Sequence, residues 1–351
     1  MVQIKTLWWR RYRWLYALVL ILAVIVAVVM AKGVADAYHE KVAPHGTATY
    51  QTYQRAYKGD KQPDESYAQY RQDQVQLYHH SFRNSDGDLN QLHTYLPVAW
   101  QYGVIVVDIV VIVAMTVLSA LLMAWDNVSG FERFIFGLGA ARKQYYRLRS
   151  FGLLALAASA VLVHLGVNLV CLTWWIPSKD IALSGSTMLL MLLYSIVLAL
   201  AGSMIGQLIG LVVNHWLAVG IVAVLVIGVG YAAFSNYVIL LTDLLQWRSS
   251  YSLDSPLQGY WVVVIGSVLL AMAAWLWGER LFDQLSLEHS GWLRQHSTVW
   301  PSVVIVAILV IGAGIIFDER GAWSSGSLLF PAVIGIVAGA VALWHRRMQA
   351  A

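Results

Sequence analysis

Three residues of this chain have types and positions that could do chemistry where chemistry is costly. Asp108 stands inside the apolar run Val106-Val107-Asp108-Ile109-Val110. His164 and Asn168 lie four residues apart in a second apolar run, which puts them on one face of a helix. Asp108 follows Tyr102 by six residues, and Asn168 precedes Trp174 by six. At the helical rise both lie about 9 Å below the outer interface, with His164 about one turn deeper. A carboxylate at that depth is inward-facing, paired or functional. The three residues read either as a polar patch on a path for substrate or as a hydrogen-bonded network that fastens helices.

A second set occupies residues 126–150, DNVSGFERFIFGLGAARKQYYRLRS. It carries five basic residues, Arg133, Arg142, Lys143, Arg147 and Arg149, among Phe131, Phe134, Ile135, Phe136, Leu138, Tyr145, Tyr146 and Leu148. A plain connector between spans needs only a few polar residues. This stretch has the material for a short amphipathic helix along the membrane surface, with Phe134, Leu138 and Tyr145 toward the membrane. Its exposed residues would be Glu132, Arg133, Arg142 and Lys143. Gly202, Gly206 and Gly210 repeat every four residues, a spacing that lets helix backbones approach closely; a hinge or a substrate groove is the alternative. His39, His45, His79, His80 and His93 share one polar segment. His79 and His80 are adjacent and point apart on a helix, so no metal site is expected. The chain has no G-x-x-x-x-G-K-[ST], H-E-x-x-H or G-x-S-x-G, so it does not hold nucleotide through a phosphate loop, and a membrane protease is disfavoured. No catalytic residue is assigned.

The elements that must carry these residues follow from composition. The chain has 351 residues, 59% hydrophobic and 12% charged, with mean hydropathy +0.63. A soluble domain carries about a quarter charged residues. The reading is an all-α, polytopic helical membrane protein with about eight transmembrane helices. The spans are read at about 14–31, 102–124, 151–173, 187–213, 217–234, 257–277, 301–317 and 328–344, with an outer re-entrant or interfacial segment at 235–256. Residues 32–97 are polar and Tyr-rich and read as a small extracytoplasmic helical cap. Residues 1–31 form the cytoplasmic N-terminus and first span, 98–277 the transmembrane core, and 278–351 a cytoplasmic segment with the last two spans. The first apolar run is long enough to span and no small-residue cleavage site follows it, so it is not read as a signal peptide. The N-terminus holds four Lys and Arg, residues 126–150 five, and residues 278–300 and the C-terminus two each, against one in each short outer loop. That bias puts both termini in the cytoplasm and the chain in the cell membrane. The basic residues flank apolar runs and form no soluble face, which argues against nucleic-acid binding. The one cysteine, Cys171, cannot make an intrachain disulfide.

Ser129-Gly130, Glu132 and the run Gly137-Leu138-Gly139-Ala140-Ala141-Arg142-Lys143-Gln144-Tyr145 resemble the loop after the second span in ABC-2 type ABC exporter permeases, Gram-positive type. In that family a small-residue turn and a basic pair lead into the third span. Relatives often have a proline near the turn, where this chain has Gly139 and Ala140. The resemblance implies that residues 126–150 are a coupling helix seated in a groove of a separate ATP-binding subunit. Glu132, Arg133, Gly137, Gly139, Arg142, Lys143, Gln144 and Tyr145 would be the coupling set. It implies no cofactor in this chain, with ATP and Mg on the partner ATPase. It implies a second permease subunit, identical or related, and contact with membrane lipid. Arg280, Glu288 and Gly291 resemble the juncture after the sixth span in such permeases and would be a second contact with the ATPase. The substrate would be hydrophobic, lipid-like or a peptide. The alternatives are a sensor or immunity protein that binds a ligand through its outer cap, and an intramembrane enzyme.

Overall fold

The structure, a computed structural model, describes residues 2–42, 46–56, 66–70, 99–102, 105–181, 183, 185–213, 219–220, 223 and 257–284. It is a helical membrane protein. Among the described residues, five helices are long and apolar enough to cross a bilayer. They are α1 (Val2–Val42), α3 (Ile109–Val128), α5 (Arg142–Trp175), α6 (Gly185–Val212) and α7 (Leu257–Gln284). Two shorter helices, α2 (Thr47–Ala56) and α4 (Phe131–Gly137), lie in the connections. One antiparallel pair, β1 (Ala99–Tyr102) with β2 (Ile105–Asp108), precedes α3. The expected spans at 301–317 and 328–344, the segment 235–256 and most of the span at 217–234 lie outside the described residues.

Several boundaries differ from those expected, and α7 runs seven residues past 277, to Gln284. The second span starts at Ile109, not Tyr102, because Ile105-Val106-Val107 is β-branched and pairs with residues 99–102. α1 runs eleven residues past Ala31, to Val42. α5 starts at Arg142, nine residues before Phe151, so the basic residues at its head belong to the span itself.

The chain divides into two compact units. The first comprises the described residues of Met1–Met115 and Phe151–Gly202; the second, Thr116–Ser150 and those after Ser203.

In the first unit, α1 buries a stripe at near-helical spacing: Ala23, Ala27, Ala31, Val34, Ala35 and Tyr38. These mostly small side chains allow close approach. The Asn168 side chain donates to the Ala27 carbonyl at 3.4 Å, and the Tyr38 hydroxyl donates to Asp180 at 2.6 Å. Gly152 sits against Trp8 and Tyr16. Residues 8, 27 and 38 thus meet 152, 168 and 180 in order, so α1 and α5 run parallel. Trp14, Leu18, Ile21, Leu22, Ile25 and Val29 of α1 are exposed, the surface a bilayer would cover. Tyr50 of α2 meets the Tyr67 ring edge-on and the Tyr70 ring at a tilt, with centroids 5.4 and 5.3 Å away, a small aromatic cluster within the expected cap.

In the second unit, α3 and α6 run parallel, since Gly206 meets Thr116 and Ala120, and Gly210 meets Ala120 and Met123. A β-carbon on Gly206 would strike the Thr116 carbonyl, and one on Gly210 would lie 2.6 Å from Cβ of Met123. The Ser119 and Ser203 hydroxyls bond across the same contact at 2.7 Å. Gly202, partly buried, continues the phase in the first unit. α7 runs antiparallel to the head of α5: Gly278 meets Tyr146, Arg147 meets Glu279 and Lys143 meets Asp283. α5 is itself antiparallel to α3, with Arg149 near Leu122 and Tyr145 near Asp126. So α3, α6 and α7 share one direction.

Candidate functional site

The connection between α3 and α5 is built by its glycines and one arginine. Gly130 has φ 71° and opens α4. Gly139 has φ 82° and closes it. The Gly139 N–H donates to the Phe136 carbonyl at 2.9 Å and the Ala140 N–H to the Ile135 carbonyl at 3.4 Å. This is the paired closure of a helix that ends on a left-handed residue. The expected single helix is therefore two. α4 stops at Gly137, and α5 begins four residues after Leu138.

α4 is clamped from beneath. Arg149 of α5 is 2% exposed, and its guanidinium reaches three acceptors. Nη1 donates to Oε1 of Glu132 at 2.8 Å, Nε lies 3.2 Å from Oδ2 of Asp126, and Nη2 donates to the Leu122 carbonyl. The Tyr145 hydroxyl donates to the same Asp126 oxygen at 3.2 Å. Asp126 and Glu132 are as buried as the arginine. One planar cation thus joins α5, the foot of α3 and the first turn of α4, a job its fork geometry suits. Ile135, fully buried, adds the apolar part of the same contact.

This arrangement divides the expected coupling residues. Glu132 was expected on the exposed face but is buried in the ion cluster, because Arg149 and Asp126 give its charge a partner there. Tyr145 faces the same cluster and not lipid. Arg142 donates to the Asp283 carbonyl at 3.1 Å and lies over the Phe136 ring. Lys143 pairs with Asp283 at 3.4 Å. Both are engaged with α7, as Arg147 is through Glu279. Arg133, Gly137, Gly139 and Gln144 are exposed. So are Phe134 and Leu138, at 53% and 55%, the residues expected to lie toward the membrane. The outward face of α4 is therefore Arg133, Phe134 and Leu138. Of the second expected contact, Glu288 and Gly291 lie outside the described residues.

In the first unit, Asp108 and His164 meet. Nδ1 of His164 is 2.5 Å from Oδ2 of Asp108, and both side chains are 3% exposed. Asp108 is not in mid-helix: its Oδ1 accepts the Val111 N–H at 3.2 Å, which makes it the N-cap of α3. Its own N–H donates to the Ser195 hydroxyl at 3.1 Å. Three elements converge on this one residue. Asn168 turns instead to the Ala27 carbonyl, so the expected cluster is a pair, with Asn168 serving the α1–α5 contact.

Arg149 was counted only among the basic residues of 126–150, and Asp126 and Ser195 were not singled out in the sequence. Arg149 and Tyr145 are four apart and so share a helix face, and that spacing is the signal that could have paired them. Nothing local marks Ser195. Among the described residues no group of three His, Cys, Asp or Glu side chains could hold a metal ion. No family model, curated protein or solved structure matches this chain.

Proposed function

We propose that this chain is the membrane-spanning subunit of an ATP-driven exporter of the ABC-2 type. It would work in the cell membrane with separate ATP-binding subunits and a second permease subunit, identical or related. ATP and Mg would sit on the ATPase. The substrate class is a hydrophobic, lipid-like or peptide molecule. The observation that carries the reading is α4: a short helix between two long apolar helices, fastened by a buried arginine, that turns Arg133, Phe134 and Leu138 outward. A helix that must transmit force has to be rigidly joined to the elements it moves and exposed to the partner that pushes it. A connector serving only to turn the chain needs neither feature. Once ATP draws the ATPase subunits together, movement of α4 would pass through Arg149 into α3 and α5 and alter their packing.

Eight spans and two cytoplasmic termini would follow from the Lys and Arg bias of the sequence. The experiment is purification of the tagged full-length chain from its native membrane in mild detergent. An ATP-hydrolysing subunit should co-purify in a fixed ratio and its activity should survive washing. Recovery of the intact chain with no associated ATPase activity would contradict the proposal.

A further inference from the structure

We propose that the Asp108–His164 pair is a proton-binding site within the membrane-spanning helices, and that it strengthens or loosens the junction of α3 with α5. Three observations carry this. The pair is buried, and Nδ1 of His164 is committed to Oδ2 of Asp108 at 2.5 Å. Nε2 of the same ring is buried with no hydrogen-bond partner among the described residues. Finally, the described helices around the pair offer no second formal charge. Among the described residues, 17–31 of α1, 109–125 of α3, 150–175 of α5 and 185–212 of α6 contain no other Asp, Glu, Lys, Arg or His. The other ionisable groups there are the Cys171 thiol and the Tyr194 phenol, beside Ser195, with Tyr102 in β1.

The chemistry follows from the ring. Histidine is the side chain whose charge ordinarily changes within the physiological range. With Nδ1–H donated to the carboxylate, the neutral imidazole leaves a lone pair on Nε2, and the pair carries a net charge of minus one. One proton from water adds to that lone pair, the N–H bond forms, and the pair becomes neutral overall as carboxylate and imidazolium. No other bond is made or broken. In the protonated form the bond to Asp108 is charge-assisted at both ends. Loss of the proton reverses this and leaves an uncompensated carboxylate at the N-cap of α3. That carboxylate also holds the Val111 N–H, so the start of α3 feels the change directly.

The test is nitrogen NMR of the full-length chain labelled at histidine, recorded in lipid nanodiscs as the sample is acidified, over the range in which helicity is retained. His164→Gln assigns the signal among the ten histidines. Nε2 of His164 should move from the unprotonated imidazole position to the imidazolium position while the Nδ1 proton stays far downfield. In Asp108→Asn the downfield proton should be lost and the Nε2 response altered. If Nε2 keeps one position throughout in the unaltered chain, the proposal is overturned, whatever the variants do. If either variant fails to fold, the unaltered chain still decides: the histidine signal with the far-downfield Nδ1 proton either moves or does not.

Discussion

Arg149→Ala should destabilise the chain more than any other single change at the α3–α5 connection. Removing the guanidinium leaves Asp126 and Glu132 buried together without the cation that now serves both. Breaking a buried pair by deleting one partner typically costs about 3–5 kcal/mol, mostly from the charge left behind. The loss should appear as a lower thermal unfolding midpoint in detergent. Arg149→Lys should recover only part of it, because one ammonium cannot reach Glu132, Asp126 and the Leu122 carbonyl in one geometry. Replacing the whole set, Asp126→Leu with Glu132→Leu and Arg149→Met, should cost less than Arg149→Ala alone, since no charge then remains buried. If Arg149→Ala melts like the unaltered chain, the cluster is not the joint that holds α4.

The next largest effect is expected at Gly206. Its missing side chain faces helix backbone, with a built β-carbon within 3.0 Å of the Thr116 carbonyl carbon and 3.2 Å of the Ala120 nitrogen. A flexible side chain could swing away from a new methyl group, but a helix backbone cannot. Gly206→Ala should therefore cost about 1–3 kcal/mol, in the range of overpacked cores, and Gly206→Leu more. The Ser119–Ser203 bond, on the same contact, should be strained in both variants. Gly166→Ala is the control. Nothing lies within 4 Å of a β-carbon there, and alanine is the better helix former, by up to about 1 kcal/mol. A neutral Gly206→Ala would mean that α3 and α6 do not need this close approach, and a hinge would become the better account of the glycine repeat.

The sequence was most informative where a local rule decides. Long apolar runs implied spans, and five such helices are present among the described residues. The glycines at 137 and 139 were read as a small-residue turn only through the family resemblance, and the one helix expected across residues 126–150 is broken where Gly139 takes the backbone angle that glycine permits. The four-residue glycine repeat pointed to close packing, and Gly206 and Gly210 meet the backbone of α3. What stayed hidden was set by partners distant in the chain. Glu132 looks like a surface acid until Arg149, seventeen residues on, is known to lie beneath it. Asp108 looked like mid-span, because an apolar β-branched run reads as helix or strand alike. Its cap role appeared only once Ile105-Val106-Val107 was seen paired with residues 99–102. The basic pair Arg142–Lys143 suggested an outward face, but Asp283, far along the chain, engages both.

The central claim is that α4 docks a separate ATPase through its outward face. Arg133, Phe134 and Leu138 are exposed, so the triple change Arg133→Glu, Phe134→Glu and Leu138→Glu should leave the unfolding midpoint of the isolated chain unaltered. Aromatic and arginine side chains at the centre of an interface commonly carry about 2 kcal/mol or more each, and every 1.4 kcal/mol is roughly tenfold in affinity. The most direct measurement is the yield and ATPase activity of the complex co-purified with this variant, against the unaltered chain at equal expression. The account predicts that recovery of the ATP-hydrolysing subunit falls by roughly tenfold or more, and that its activity falls with it. A stable triple variant that retains the full complement of ATPase, hydrolysing at the normal rate, would contradict it.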